Sequence, residues 1–258
     1  MPIFEPTNTS VLEFEGLHLY HAERSNCSAR VRLLLEEKQL PWTSHHINLQ
    51  KKENVTEDYF GINPKGLVPA LVYDGKVVIE SHDIMDYIET TFPAPGFRDV
   101  ADEDQPEIDF WLWASGEAHV PGVKTIQYHK RLSKLIEKSE EEYNRYRELQ
   151  TDPQLLAFHA KHAAPGSNFS DEDAAEATRL MSGYFEKMNA ILAGAEYIVG
   201  STYTLADMAW APSVTTLKIG KFDFSPFPHV EAWYARVSAR PQFDEAFLKW
   251  IREATWGN

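Results

Sequence analysis

Cysteine is nearly absent from this sequence, because Cys27 is the only one among 258 residues. One cysteine excludes an intrachain disulfide and is typical of a reducing compartment. The chain also lacks an apolar run of the about 18 residues that a membrane-spanning helix needs. Its beginning contains Glu5, Glu13 and Glu15 but no basic segment of the kind that opens a signal peptide. We therefore expect a cytoplasmic protein without a signal peptide or a membrane-spanning helix.

Positive charge is also scarce, since 25 Lys and Arg residues face 39 Asp and Glu residues, for a formal net charge of −14. Such a chain repels phosphate backbones and anionic lipid surfaces, which argues against nucleic acid or a membrane as its partner. A small anionic ligand stays compatible with this charge, because a helix terminus can locally outweigh the net field. The length is sufficient for one large domain or two small ones.

A polar turn stands between a predicted strand, residues 17–20, and a helical pattern over residues 26–39. The first N–H groups of a helix have no partner inside it and carry partial positive charge, which makes such a turn suitable for an anion. The same arrangement would stabilise a bound thiolate or the thiolate of Cys27 itself. The alternative interpretation is that Ser25 or Asn26 is simply the N-cap of the helix.

The next segments predict a small mixed sheet. Residues 45–48 are a possible second strand, and a short helix follows them. Asp74 and Gly75 stand between two β-branched runs, which predicts a hairpin with a type I′ turn. Ser81 is expected to cap a further helix, and residues 1–15 are expected to form a loose leader. The order strand, helix, strand, helix, hairpin, helix is typical of an α/β domain.

Two prolines and a glycine within residues 92–96 indicate a linker. No convincing strand pattern follows them. We expect an α/β domain over residues 1–92, a linker over 93–105 and an all-helical domain over 106–258.

The second half also contains clear capping signals. Ser170 precedes a helical pattern as a capping residue, and Thr204 with Asp207 predicts a capping box. A helix is expected over residues 123–150, with a charged and mostly solvated second part. Residues 151–170 are expected to form a long irregular connection.

Four motifs, each weak alone, follow one another along the chain: Ser25-x-Cys27-Ser28-x-Arg30-Val31-Arg32, Asn63-Pro64-Lys65-Gly66-Leu67-Val68-Pro69-Ala70-Leu71, Glu80-Ser81 and Thr204-Leu205-Ala206-Asp207. In these motifs and their order the chain resembles the cytosolic glutathione transferases, from about Leu17 to Ile251. The resemblance implies a thioredoxin-like N-terminal domain and an all-α C-terminal domain. It also implies a glutathione site on the first domain, an electrophile pocket between the two and, usually, a homodimer.

The resemblance assigns roles in glutathione binding by position. Glu80 and Ser81 would hold the γ-glutamyl end of glutathione. Val68, before a cis Pro69, would pair its backbone with the cysteinyl unit. Asn54 stands where related classes place a side chain for the glycyl carboxylate.

One position departs from the family pattern. Leu67 stands where several relatives have Gln or Lys, which implies that one polar contact to glutathione is missing. Lys51, Lys52 or Lys65 is an alternative source of positive charge, although a solvated surface position is the ordinary expectation for each.

The resemblance leaves two candidates for the catalytic residue. In serine-type classes, a hydroxyl at the position of Ser25 donates a hydrogen bond to the glutathione sulfur and favours its thiolate form. In tetrachlorohydroquinone reductive dehalogenases, the nucleophilic cysteine aligns with Cys27, where it can take glutathione as a mixed disulfide. Zeta-like serine enzymes carry a cysteine at this place too, and a small buried hydrophobic residue is the structural alternative.

Within the family, the chain resembles the bacterial β-aryl-etherases that act on lignin-derived ethers, as well as the reductive dehalogenases. Both groups deliver the glutathione thiolate to a carbon that bears an aryl-type leaving group, and an aromatic pocket suits such a small aromatic electrophile. Candidate pocket residues are Trp111, His119, Tyr128 and Trp210, each with core packing as the alternative. His119 is also a candidate for proton transfer.

The long stretch over residues 119–170 suggests additional pocket or lid structure. His159 and His162 lie within it at helical spacing, but no carboxylate or thiol partner is evident, and we expect no metal site.

A non-catalytic ligand carrier or scaffold with this fold is the alternative from another functional class. The joint presence of Ser25, Pro69, Glu80 and Ser81 argues against it, because a scaffold has no chemical reason to keep that set.

Overall fold

A mixed five-stranded sheet is built by the first part of the chain in the computed structural model, which describes residues 3–163 and 167–254. Its strand order is β1-β5-β4-β2-β3, with β2 and β3 parallel and the other neighbours antiparallel. The strands are β1 (Ile3–Phe4), β2 (Leu17–His21), β3 (Trp42–His46), β4 (Ala70–Tyr73) and β5 (Lys76–Ile79).

The hairpin between β4 and β5 confirms the turn prediction. Asp74 and Gly75 connect the two strands with φ angles of 47° and 75°. Positive φ at both central residues is the requirement of a type I′ turn, and it explains why this dipeptide occurs there.

The expectation of a loose leader over residues 1–15 is wrong. Ile3 and Phe4 pair with Val78 and Val77 of β5 and form an edge strand. A strand of two residues carries too little alternation to be recognised in the sequence.

Three helices cover the sheet and complete the first half. Between β2 and β3 lies α1 (Asn26–Glu37), between β3 and β4 lies α2 (Glu57–Phe60), and β5 leads into α3 (Ser81–Thr91). From β2 onward, this is the predicted order of elements.

The described part of the second half is helical. A 3₁₀ turn (Asp102–Asp104) precedes it, and π-helical segments at His119–Lys124, Tyr128–Leu132 and Asp244–Leu248 interrupt its α-helices. The helices are α4 (Gln105–Glu117), α5 (Thr125–Gln127), α6 (Ser133–Leu135), α7 (Glu140–Leu149), α8 (Pro153–Ala160), α9 (Asp171–Leu192), α10 (Leu205–Ile219), α11 (Pro228–Ser238), α12 (Pro241–Phe243) and α13 (Lys249–Glu253).

Two expectations for this half need correction. The connection over residues 151–170 contains α8. The Asp152 carboxylate caps this helix by accepting hydrogen bonds from the backbone N–H groups of Gln154 and Leu155. Pro153 is the first helical residue, a position that favours proline. The expected helix over residues 123–150 is not continuous, because the chain leaves helical geometry at Ile136 and begins again at a capping box on Ser139.

Both predicted helix caps are present, and each is a capping box. Ser170 caps α9 together with Asp173, and Thr204 caps α10 together with Asp207. Asp207 is fully buried, and its carboxylate also accepts hydrogen bonds from the Ile198 backbone and from the Trp233 indole, at 3.0 and 2.7 Å.

One continuous apolar core joins the two halves, because α1 packs against α10. The fully buried Arg30 of α1 connects them further. Its guanidinium donates hydrogen bonds to Ser81 Oγ, to the Ser115 carbonyl and to Ser213 Oγ, at 3.1, 2.9 and 2.9 Å. These contacts fix the N-terminus of α1 relative to α3, α4 and α10.

Candidate functional site

A cavity of about 210 Å³ lies between the sheet half and the helical half. Its wall includes the N-terminus of α1, the segment before β4 and the N-terminus of α3. The predicted residues that line it are Ser25, Cys27, Asn54, Val68, Pro69, Glu80, Ser81, His119 and Tyr128.

Ser25 is the N-cap of α1, and its side chain is partly exposed on the cavity wall. Its Oγ accepts a hydrogen bond from the Ser28 backbone N–H at 3.1 Å. A serine hydroxyl has one proton and two lone pairs, and the cap uses only a lone pair. The hydroxyl proton can therefore be donated to a ligand in the cavity. The N-cap interpretation and the hydrogen-bond donor interpretation are thus compatible.

Cys27 also lines the cavity, but it is 9% exposed. Burial raises the pKa of its thiol, although the Arg30 charge and a hydrogen bond with Ser81 act in the opposite direction. The helix N-terminus therefore does not leave Cys27 ionised at neutral pH, contrary to one of the expectations from the sequence.

Glu80 connects β5 to α3 with a φ angle of 67°, which is uncommon for a residue other than glycine. Its carboxylate forms an ion pair with Lys65 at 2.6 Å. Glu80, rather than Ser81 as predicted, is the N-cap of α3, and it makes no side-chain cap bond. Ser81 is the first helical residue, and its hydroxyl accepts a hydrogen bond from Arg30 instead. The unusual backbone places both residues on the cavity wall.

The segment before β4 also contributes to the wall. The Val68–Pro69 peptide bond is cis, as the resemblance implied. Asn54 donates a hydrogen bond from its side-chain amide to the Gly66 carbonyl at 2.8 Å, which supports this segment. Leu67 and Lys52 line the cavity as well, whereas Lys65 is held by Glu80.

The segment over residues 119–170 lines the opposite wall. Two of its portions are π-helical. This geometry is rare in proteins overall, but where it occurs it is often at a functional site. This placement agrees with the expectation of additional pocket structure, of which residues 164–166 lie outside the described part. The lining residues from this segment are His119, Val120, Val123, Lys124, Gln127, Tyr128, Arg131, Leu132, Ile136, Lys138, Tyr146 and His159.

Trp111 and Trp210 do not line the cavity, contrary to the prediction. They are 0% and 1% exposed and pack edge to face, with 5.5 Å between ring centroids. The Trp210 indole donates a hydrogen bond to the Trp111 carbonyl at 2.8 Å. The pair belongs to the core because α4 and α10 turn these faces toward each other, and sequence periodicity cannot separate a core face from a cavity face.

His119 and Tyr128 do line the cavity. The Nδ1 atom of His119 is buried and has no hydrogen-bond partner among the described residues. Burial, with the nearby charges of Arg30 and Lys124, lowers the pKa of His119 well below its ordinary value. Its ring is therefore neutral at neutral pH. Burial likewise raises the pKa of the Tyr128 phenol, which stays protonated.

Two lysines of this wall were missed by sequence reasoning. Burial lowers the pKa of Lys124 to about 8 and that of Lys138 to about 7. Lys124 lies over the rings of Phe158 and Tyr128, at 4.6 and 5.7 Å from their centroids. The signal in the sequence was a lysine between Val123 and Ile126, within an apolar stretch of a helical pattern.

His159 and His162 form a buried hydrogen-bonded pair, with 2.9 Å between Nδ1 of the first and Nε2 of the second. Lys138 Nζ lies 3.4 Å from the same Nδ1 atom. Within residues 3–163 and 167–254 there is no group of three or more His, Cys, Asp or Glu side chains that could hold a metal ion. In the same residues no helix is long and apolar enough to cross a bilayer.

The fold and site define a class of protein: a thioredoxin-like sheet domain followed by a helical domain, with a cavity between them at the start of α1. Family models agree with this class. The glutathione S-transferase N-terminal domain matches residues 24–91, and the glutathione S-transferase C-terminal domain matches residues 137–241. The chain belongs to the cytosolic glutathione S-transferase family, whose members bind glutathione.

Several characterised proteins are similar along most of the chain. Protein LigF of Sphingobium sp. (strain NBRC 103272 / SYK-6) is 28% identical over 246 residues, which cover 92% of this chain and 95% of LigF. The tetrachloro-p-hydroquinone reductive dehalogenase of Sphingobium chlorophenolicum is 27% identical over 242 residues, 88% of this chain and 94% of that protein. Glutathione S-transferase F13 of Arabidopsis thaliana is 27% identical over 233 residues, 88% and 93% of the two chains.

The solved structures lead to the same family. The crystal structure of beta-etherase LigF from Sphingobium sp. strain SYK-6 has a TM-score of 0.74 and 27% sequence identity to this chain. The superposition covers 90% of this chain and 99% of LigF.

Proposed function

We propose that this protein is a glutathione transferase that delivers the glutathione thiolate to an aromatic electrophile. The observation that carries the proposal is the Ser25 hydroxyl, which lies on the cavity wall with its acceptor side bonded to Ser28 and its proton available. A hydrogen bond from this hydroxyl stabilises the charged sulfur more than the neutral thiol, which lowers the pKa of the thiol. The helix N-terminus adds partial positive charge at the same place.

The rest of glutathione would follow the sheet half of the cavity. Glu80 would receive the γ-glutamyl ammonium, and the Ser81 end of α3 would receive the α-carboxylate. The Val68 backbone would pair with the cysteinyl unit. Asn54 and Lys52 lie on the same wall, where they would face the glycyl carboxylate.

The proposed reaction is a substitution at carbon. The thiolate sulfur forms a C–S bond, and the bond from that carbon to the aryl ether oxygen breaks. The phenolate leaves with the electron pair and takes a proton from water. Cleavage of a lignin-derived β-aryl ether is the form of this reaction that the similarity to LigF favours.

The second candidate is chemistry through Cys27, as in a reductive dehalogenase or thiol transferase. The Cys27 thiolate would attack the sulfur of an aryl–glutathione conjugate and form a mixed disulfide, while the C–S bond breaks and the aryl carbon keeps the electron pair and takes a proton. A second glutathione would then reduce the mixed disulfide. The position of Cys27 on the cavity wall and the similarity to the tetrachloro-p-hydroquinone dehalogenase favour it. The raised pKa of the buried thiol argues for the serine mechanism instead. A non-catalytic ligand carrier is the third alternative. A homodimer, as is usual in the family, stays a prediction.

The test is turnover of a fluorogenic β-aryl ether with glutathione by wild type, Ser25→Ala and Cys27→Ala. Loss of turnover in Ser25→Ala alone supports the serine mechanism, and loss in Cys27→Ala alone supports the mixed-disulfide mechanism. If wild type binds glutathione but cleaves neither this ether nor an aryl halide, the carrier alternative replaces the proposal.

A further inference from the structure

The cavity wall carries an excess of positive charge, although the chain has a formal net charge of −14. Among the described residues, the one carboxylate on this wall is that of Glu80, and it is already paired with Lys65 at 2.6 Å. A cleft lined by one sign of charge concentrates ligands of the opposite sign. The basic residues of the wall are Arg24, Arg30, Lys52, Lys124, Arg131 and Lys138.

No described side chain forms an ion pair with Lys124. In the part of the chain that the structure describes, its Nζ makes no hydrogen bond or ion pair, and its neighbours are aromatic faces. Two exposed lysines outside the cavity, Lys218 and Lys249, each pair with a glutamate. A charge removed from water without a partner is costly, which is why buried charges are ordinarily paired.

Lys138 is in a similar position. Its Nζ lies 3.4 Å from Nδ1 of His159 and 5.2 Å from the centroid of the Tyr146 ring, and both groups are neutral. Among the described side chains, no carboxylate forms a salt bridge with it. Neither lysine therefore forms an ion pair within residues 3–163 and 167–254, although the charge of Glu142 acts on Lys138 from a greater distance.

These two lysines are separate from the residues that we propose for glutathione. All of the latter lie between residues 25 and 81, on the sheet half. Lys124 belongs to the first π-helical segment, and Lys138 belongs to the loop before α7. Both line the cavity together with the aromatic rings of Tyr128 and Tyr146, and Lys138 is near enough to Lys52 of the sheet half for their charges to repel.

We propose that Lys124 and Lys138 bind a carboxylate on the aromatic electrophile, so that the protein selects acidic aromatic substrates over neutral ones of the same shape. This inference rests on the proposed function, since it needs the electrophile to occupy the helical side of the cavity. The rings of Tyr128 and Tyr146 would contact the apolar body of the substrate. The lysine ammonium groups would supply charge-assisted hydrogen bonds to its carboxylate.

Two synthetic conjugates test the inference without requiring turnover. S-(4-carboxy-2-nitrophenyl)glutathione and S-(4-carbamoyl-2-nitrophenyl)glutathione differ only in a carboxylate and a neutral amide of similar shape. Their Kd values are measured by isothermal titration calorimetry for wild type, Lys124→Met, Lys138→Met and Lys124→Arg. Methionine keeps most of the lysine stem, arginine keeps the charge, and Lys249→Met is the control for an exposed lysine outside the cavity.

For wild type we expect the carboxylate conjugate to bind about 10- to 100-fold more tightly than the amide. Each methionine variant should lose most of that preference, while Lys124→Arg and Lys249→Met keep it. A wild-type ratio near one, or a ratio unchanged in both methionine variants, overturns the inference.

Two further outcomes separate this inference from the proposed function. If the methionine variants weaken both conjugates and free glutathione equally, the lysines serve glutathione, and only the inference fails. If wild type binds neither conjugate nor glutathione, the proposed function fails together with it.

Discussion

The hydroxyl oxygen of Ser25 accepts a hydrogen bond from the backbone N–H of Ser28 at 3.1 Å. This bond fixes the orientation of the hydroxyl and uses one of its lone pairs, while its proton stays available to the cavity. A single side chain can thus cap α1 and donate to a bound sulfur. The geometry explains how one residue can have both a structural and a chemical role. Variants that remove the hydroxyl should therefore behave differently from variants that keep it.

Replacing Ser25 with alanine should lower kcat/KM about 10- to 100-fold at neutral pH, because a hydrogen bond to a charged sulfur is lost. Ser25→Thr keeps both the hydroxyl and the cap and should retain most activity. Steady-state kinetics with saturating glutathione measures both variants.

The loss of the cap itself needs a control. Ser170→Ala removes an equivalent cap from α9, outside the cavity, and should cost about 1 kcal/mol of stability with little change in kcat/KM. Equal activity losses in Ser25→Ala and Ser170→Ala would mean that only helix stability was measured.

Cys27→Ala should keep kcat/KM within about threefold of wild type, because burial keeps the thiol protonated and outside the chemistry. For the same reason, iodoacetamide should alkylate Cys27 slowly in the folded protein and readily after unfolding in urea. Mass spectrometry of the intact protein follows the modification. Rapid alkylation of folded protein together with inactive Cys27→Ala would instead support the mixed-disulfide mechanism.

The preference for a carboxylate conjugate should depend on pH in one direction. The pKa values of about 8 for Lys124 and about 7 for Lys138 mean that both ammonium groups are protonated at pH 6. Raising the pH removes these charges, whereas Arg24, Arg30 and Arg131 keep theirs. The ratio of the two Kd values should therefore be largest below about pH 7 and decline above about pH 8.

Calorimetric titrations of both conjugates between about pH 6 and about pH 10 measure this ratio. The amide conjugate is the control for changes in protonation that alter the binding of the glutathione part, because both conjugates share that part. A ratio that stays constant, or rises with pH, would contradict the assignment of the lysines.

Asp207→Ala should destabilise the fold by about 3 kcal/mol or more, because it leaves the Trp233 indole N–H and two backbone N–H groups buried without an acceptor. Asp173→Ala is the matched control, since Asp173 has the same capping-box position in α9 but lies near solvent. It should cost about 1 kcal/mol. Urea unfolding measures both, and equal losses would show that burial adds nothing to the role of Asp207.

Elements with local signals were predictable from the sequence. The turn at Asp74 and Gly75 and the cap of α10 at Thr204 each need only a few neighbouring residues, and the structure has both. The order of elements in the sheet half followed from such signals in sequence. The cap of α3 was placed one residue late, because the backbone conformation of Glu80 has no sequence signature.

What depends on long-range packing could not be predicted. The pairing of Ile3 with Val78 joins residues far apart in sequence, and a two-residue strand gives no period. For Trp111 of α4 and Trp210 of α10, the sequence pattern is the same whether the side chain faces the core or a cavity, so their burial in the core could not be predicted. The sequence showed Lys124 within an apolar stretch but not its role, because that role depends on which described side chains surround its ammonium group in the folded chain.

The most direct test of the central claim is the pKa of the thiol of bound glutathione, followed by the ultraviolet absorbance of the thiolate as the pH is raised. In wild type the pKa should lie well below the value of about 8.5 for an ordinary thiol. In Ser25→Ala it should rise by about 1 to 2, while Cys27→Ala leaves it at the wild-type value. A bound thiol whose pKa is the same in wild type and Ser25→Ala would contradict the account.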